Sequence, residues 1–168
     1  MAQTAVDAYV ALGANLGDPV AQLRQALHAM AQLPTTHVVR CSSFYASAPH
    51  EASGPEFVNA VAQLRTALDP QALLTALQNV ENTAGRERPY PHAPRTLDLD
   101  VLFYGDQVLQ TPTLIVPHPR WATRAFVLLP LQEICPQRVR AAQLQAVRNQ
   151  PIRRLLPPPE EWNDETSS

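Results

Sequence analysis

Apolar and polar positions follow two different periods along this chain. "DAYVALGAN" (7–15), "HVVRCSSFYASAP" (37–49) and "EFVNAVAQLRT" (56–66) are rich in branched, aromatic and small apolar residues, and each predicts a strand. Between the first two, Val20, Leu23, Leu27, Met30 and Leu33 recur at helical spacing. Asp18-Pro19 opens that helix with a capping side chain and a proline at the first helical position, and Pro34 closes it. "DPQALLTALQNVENTAG" (69–85) repeats the Asp-Pro start and ends on Gly85. "RTLDLDVLFYG" (95–105) alternates strictly, with Leu97, Leu99, Val101 and Phe103 on one face and Asp98, Asp100, Leu102 and Tyr104 on the other. A hairpin turning at "GDQ" follows, and a third helix lies within "PHPRWATRAFVLLPLQEI" (117–134).

The order β-α-β-β-α-β is a split βαβ arrangement, which predicts an α+β, ferredoxin-like core with a C-terminal hairpin and extra helices. Right-handed crossovers place the two helices on one face of an antiparallel sheet. The first and fourth strands then lie side by side at the sheet centre, so the aspartate strand is expected to be central, its second face covered by loops or a ligand. A chain of 168 residues suits one domain, read as 1–155. Residues 156–168, "LPPPEEWNDETSS", read as a solvated, Pro-rich and acidic tail. No segment approaches the roughly 20 apolar residues that span a bilayer. No basic region leads into an apolar stretch at the N-terminus. Cys41 and Cys135 lack metal-ligand spacing and read as reduced thiols of a cytoplasmic protein.

The chemistry is narrowed by one compositional fact: all 13 basic residues are arginine. Without lysine there is no phosphate-loop lysine and no Schiff-base chemistry, and "GANLGDP" (13–19) lacks the ending of a phosphate loop. If the protein handles phosphate, arginine and metal must do it. Asp98 and Asp100 have Cα atoms about 6.5–7 Å apart at a rise of roughly 3.3 Å per residue. A D-x-D pair alone fits a solvated sheet face equally well. Leu102 and Tyr104, however, continue that face and are poor solvent residues, and Mg²⁺ takes one or two carboxylates plus substrate phosphates. Five of the arginines, Arg86, Arg88, Arg95, Arg120 and Arg124, flank the pair, as a polyphosphate clamp would require. His118 lies close in sequence to Arg120 and Arg124; phosphate contact and a structural role are evenly balanced for it. Phe57 and Phe126 fit either the core or a stack on a flat heterocycle. Asn59, alternating with Phe57, is a costly buried amide unless something pairs with it.

"YVALGANLGD", "SSFYASAP", "FVNAV", "ENTAGRER", "APRTLDLDVLFYG" and "VPHPRWATRAFVLLPL" together resemble the 6-hydroxymethyl-7,8-dihydropterin pyrophosphokinase family of folate biosynthesis, collinearly from about residue 8 to residue 135. The resemblance implies transfer of the β,γ-pyrophosphoryl group of ATP to the pterin hydroxymethyl group, releasing AMP, with two Mg²⁺ ions. It implies Asp98 and Asp100 as magnesium ligands and Arg86, Arg88 and Arg95 as catalytic-loop arginines. Gln78, Arg88, Arg95, His118 and Arg124 fall at ATP-contacting positions. Phe57 and Phe126 fall where the family sandwiches the pterin, Asn59 where an amide reads its polar edge, and Ser47, Pro49 and His50 along the same pocket. Ala93 stands near a family tryptophan, Pro119 replaces a tyrosine and Thr113 an arginine. The loop 86–96 reads as a lid over the triphosphate.

Two other readings fit parts of the pattern. A palm-like nucleotidyltransferase also mounts paired aspartates on a split βαβ sheet, but a net charge of −2 offers nothing to attract a polynucleotide. A non-catalytic ligand-binding domain of the same fold would leave the aspartates as surface. The expected partners are small molecules only, with no nucleic acid and no membrane, and the protein is expected to be a monomer.

Overall fold

A computed structural model of the chain describes residues 4–48, 55–85 and 97–162. Strand β1 (Val6–Ala14) leads to helix α1 (Pro19–Ala31), strands β2 (Thr36–Cys41), β3 (Phe44–Ser47) and β4 (Phe57–Thr66), and helix α2 (Pro70–Gly85). Strands β5 (Asp98–Tyr104), β6 (Leu109–Gln110) and β7 (Ile115–Val116) follow, then helices α3 (Ala125–Ile134) and α4 (Ala141–Ala146) and strand β8 (Ile152–Leu156).

Both Asp-Pro signals act as their chemistry dictates. The Asp18 carboxylate accepts the Ala21 N–H at 3.1 Å and Asp69 accepts the Ala72 N–H at 2.8 Å, satisfying donors that a helix leaves orphaned at its start. Leu23, Leu27 and Met30 of α1 and Leu73 and Leu77 of α2 are buried against Ala8, Val10, Leu12, Ala60, Ala62 and Leu64 of the sheet. The opposite face receives α3, whose Val127, Leu131 and Ile134 join Tyr9, Val61, Leu102 and Phe103. Helices thus cover both faces, one of them only in part.

The sheet is antiparallel throughout its pairings, in the order β5-β1-β4-β3-β8 with β2 also beside β4. β5 does pair with β1, yet the aspartate strand is the terminal strand and not a central one. Its apolarity comes from helices on both faces. Its outer edge is occupied as well: His118 N–H donates to the Leu102 carbonyl at 2.9 Å, and Leu99 N–H donates to Glu81 Oε2 of α2 at 2.8 Å.

The strict alternation of β5 also breaks. Opposite β1 the register slips between Tyr9, paired with Phe103, and Val10, paired with Val101. This bulge gives β5 one extra residue, Leu102. Phe103 therefore joins Leu102 on the α3 side, while Tyr104 turns back to the side of Leu99 and Val101. Asp98 and Asp100 lie before the bulge and keep their common face.

Residues 37–49 do not form one strand. Ser42 and Ser43 interrupt it because their hydroxyls offer the backbone other partners. Ser42 Oγ donates to the Ser43 carbonyl and accepts the Val61 N–H, and both serines are fully buried. The hairpin also forms later than "GDQ": Gly105, at φ +53°, turns the chain out of β5, and the paired strands are β6 and β7, closed by Thr111 and Leu114. Part of the segment read as a tail rests on the domain. Leu156 is the last residue of β8, Pro159 is buried, and the Trp162 ring meets His28 of α1 edge-on at 5.0 Å.

Candidate active site

Cross-strand partners project to the same face of a sheet. On the α3 side the register therefore aligns one row across five strands: Asp98 of β5, Gly13 of β1, Asn59 of β4, Tyr45 of β3 and Arg154 of β8. The next row towards α3 is Asp100, Ala11 and Val61, and on the other side Ser47 pairs with Phe57. Asp98 and Asp100 are exposed. Among the described residues, Gly13 and Ala11 of β1 separate the two carboxylates from Asn59, so only a glycine and a methyl group stand between them along the sheet.

Asn59 is 5% exposed, and its pairing is partly internal: Ser47 Oγ donates to Asn59 Oδ1 at 2.6 Å. That bond fixes the amide's orientation and leaves the Nδ2 donor end over Gly13. A methyl group built on Gly13 would stand 3.2 Å from Nδ2, closer than ordinary packing allows. Glycine here keeps the space beside Asn59 open.

Helix α3 forms the side wall. Phe126, in its first turn, is half-buried against the cluster that includes Val61 and Leu102, and the Arg124 guanidinium sits 5.3 Å from the Phe126 ring centroid. Phe57 is half-buried on the floor. His118 lies where burial, first, and the positive charges of Arg124 and Arg120 lower its pKa, while Asp100 pulls the other way. The bond from His118 N–H to the Leu102 carbonyl holds the residue at the edge of β5, within electrostatic reach of Asp100, Arg120 and Arg124. His118 Nδ1 accepts the Arg120 N–H at 3.1 Å, so the proton of the neutral ring is on Nε2, which is left as a donor.

Of the residues singled out in the sequence, the structure brings Asp98, Asp100, Asn59, Ser47 and Phe57 onto one sheet face, with Phe126, Arg124 and His118 beside it. Gln78 is exposed on α2, one turn before Glu81, the residue that reaches the edge of β5. Arg86, Arg88, Arg95, Pro49 and His50 lie outside the described residues, as does the loop 86–96. Gly13, Ala11 and Glu81 were not singled out. "GAN" and the polar end of "NVENTAG" carried the signal, but only the register shows that Gly13 separates Asp98 from Asn59.

The donor set fits a hard divalent cation. Among the described residues no group of three or more His, Cys, Asp or Glu side chains converges, so the pair is not a self-sufficient cage. Two exposed carboxylates beside an open floor are what Mg²⁺ uses when waters and substrate phosphates complete its shell.

The chain is similar in sequence and in fold to known proteins. The family model for 7,8-dihydro-6-hydroxymethylpterin-pyrophosphokinase matches residues 9–136. A Haemophilus influenzae protein named 2-amino-4-hydroxy-6-hydroxymethyldihydropteridine pyrophosphokinase is 48% identical over 130 residues, covering 77% of this chain and 81% of its own. The protein of the same name from Pseudomonas aeruginosa is 50% identical over 129 residues, 76% of this chain and 80% of its own. In fold, the chain resembles the Plasmodium falciparum HPPK-DHPS wild type with pteroate, at a TM-score of 0.61 and 13% identity, over 77% of this chain and 38% of that one. This chain thus spans well under half of that solved protein. With a matching model over most of its length and relatives near half identical, the chain belongs to the 7,8-dihydro-6-hydroxymethylpterin-pyrophosphokinase family.

Proposed function

We propose that the protein transfers pyrophosphate from ATP to 6-hydroxymethyl-7,8-dihydropterin in folate biosynthesis, on the sheet face bounded by Asp98, Asn59 and Phe126. The pterin hydroxymethyl oxygen gives up its proton to solvent and bonds to the β-phosphorus of ATP, the bond from that phosphorus to the α-β bridging oxygen breaks, and AMP leaves. The observation that carries the reading is the row Asp98–Gly13–Asn59: a carboxylate and a recognition amide face each other across an open glycine.

The residues divide the work. Asn59, held by Ser47, presents its Nδ2 donor to the polar edge of the pterin. Phe57 and Phe126 take the ring faces, with Pro49 and His50 completing the pocket. An amide reading ring polarity discriminates better than apolar walls, because the wrong ring leaves it unpaired. Asp98 and Asp100 would hold Mg²⁺, two ions in this reading; bound there, the metal neutralises phosphate charge. Arg124 and the Nε2 donor of His118, which interact electrostatically with each other, would grip phosphate oxygens, with Gln78 on the nucleotide. Arg86, Arg88 and Arg95 would close positive charge over the transferring group, where phosphoryl transfer needs charge neutralisation most.

The strand order, with the aspartate strand beside β1 and β1 beside β4, supports reading the core as ferredoxin-like, and we take 1–155 as the body of the pyrophosphokinase domain, with Leu156 closing β8 and Pro159 and Trp162 packing onto it. The buried free thiols Cys41 and Cys135 support a cytoplasmic location. Incubation with ATP, Mg²⁺ and the reduced pterin, with adenine nucleotides resolved by chromatography, tests the reaction. AMP forming one-for-one with the pterin diphosphate is expected. ADP would mean a simple kinase, and released pyrophosphate a nucleotidyltransferase.

A further inference from the structure

Glu133 stands in the last turn of α3. A carboxylate there opposes the negative end of the helix dipole, so the helix alone gains nothing from it. Its partners lie elsewhere. Ser43 N–H donates to the carboxylate at 3.1 and 3.3 Å, Ser43 Oγ at 2.9 Å and Tyr45 Oη at 2.5 Å. Ser43 is fully buried at the break between β2 and β3, where its N–H has left the strand ladder. The carboxylate completes that broken strand.

We propose that Glu133 is a positioning residue for the pterin pocket, tying the helix that carries Phe126 to the strand that carries Ser47. The inference rests on the pterin site assigned above. Two spans define it. Along α3, Glu133 follows Phe126 by seven residues, nearly two full turns, so both project from one side of the helix. Along β3, Tyr45 is the cross-strand partner of Asn59, and Ser47, two residues on, holds the Asn59 amide. The distance between the Phe126 wall and the Asn59 floor is therefore set where Glu133 meets Tyr45 and Ser43. Pro130 lies between the two helix positions and removes one backbone donor from α3, so side-chain anchoring matters more there. Arg154, paired with Tyr45 from β8, places a positive charge beside the same phenol.

The test compares Glu133→Ala, Glu133→Gln and Tyr45→Phe with Asn59→Ala. For each, calorimetry gives the Kd of a nonhydrolysable ATP analogue with Mg²⁺, then that of the reduced pterin in its presence. Removing a charge-assisted anchor in Glu133→Ala is expected to raise the pterin Kd about tenfold while the nucleotide Kd stays within about twofold. Glu133→Gln, which keeps an acceptor for Tyr45, should recover much of the loss. If Asn59→Ala weakens the pterin but Glu133→Ala does not, the positioning role is wrong and the pocket assignment stands. If Asn59→Ala leaves pterin binding unchanged, the pocket assignment itself fails. Equal weakening of both ligands in Glu133→Ala would mean a general structural role and overturn the inference. Should Glu133→Ala not fold, Tyr45→Phe carries the test, since it removes the phenol's bond to Glu133: a pterin Kd raised severalfold with the nucleotide Kd unchanged is expected, and unchanged pterin binding overturns the inference.

Discussion

Gly13→Ala is the substitution whose consequence the structure fixes most tightly. The new methyl group would stand 3.2 Å from Asn59 Nδ2, and the neighbour must yield by a few tenths of an ångström. Asn59 cannot move freely, because Ser47 Oγ holds its Oδ1 at 2.6 Å on a strand paired on both sides. The amide must tilt, and its donor must leave the position proposed to read the pterin. Misaligning a buried polar group costs about 1–3 kcal/mol, or roughly 5- to 150-fold in Kd. The fold pays little, since alanine in place of a strand glycine gains about 0.5–1 kcal/mol of backbone entropy, which offsets the local crowding. The expected result is a pterin Kd raised by that factor, Mg-ATP binding unchanged, and a Tm within about 4 °C of the parent. Calorimetric titration of each ligand, with a thermal melt as control, reads all three. A folded Gly13→Ala protein that binds pterin normally would refute the assignment of this floor.

Other consequences follow from the same geometry. Asp98→Ala and Asp100→Ala remove exposed carboxylates, so each should lower kcat by about two orders of magnitude or more, with the melt little changed; steady-state rates in saturating Mg²⁺ check this. Burial holds His118 below its ordinary value of 6.5, so the unfolded chain binds its proton first as the pH falls. Its stability contribution is complete above about pH 6.5 and is lost on acidification towards the lowered native value. An NMR titration should find that midpoint below 6.5, lower still in Asp100→Asn and higher in Arg124→Gln, following the signs of the two charges. Burial, and secondarily Glu133, push the Cys41 thiol up to about 12, and Cys135 is also buried. Alkylation at pH 8 should therefore label neither cysteine until the protein is unfolded.

What was legible in the sequence was local chemistry. Asp18-Pro19 and Asp69-Pro70 are helix starts whose capping partners lie three residues away, and both caps formed. The alternation of Asp98 and Asp100 with leucines gave their common face because it needs only the strand period. Long-range pairing was not encoded that way. The edge position of β5, the bulge at Leu102 and the split at Ser42–Ser43 each depend on what the neighbouring strand or helix supplies: β1 slips by one residue, and Glu133 of α3 answers Ser43 from 90 positions along the chain. For the same reason the sequence alone does not mark Gly13 as a site residue. Its meaning lies in having Asp98 on one side and Asn59 on the other.

The claim on which the account turns is that this sheet face holds metal, nucleotide and pterin together. Crystals grown with Mn²⁺, a nonhydrolysable ATP analogue and the reduced pterin would show it by anomalous scattering from the metal. The account predicts anomalous peaks at the carboxylates of Asp98 and Asp100, with the pterin ring over Gly13 and its polar edge at Asn59. Metal bound elsewhere, or a pterin seated away from Asn59, would contradict it.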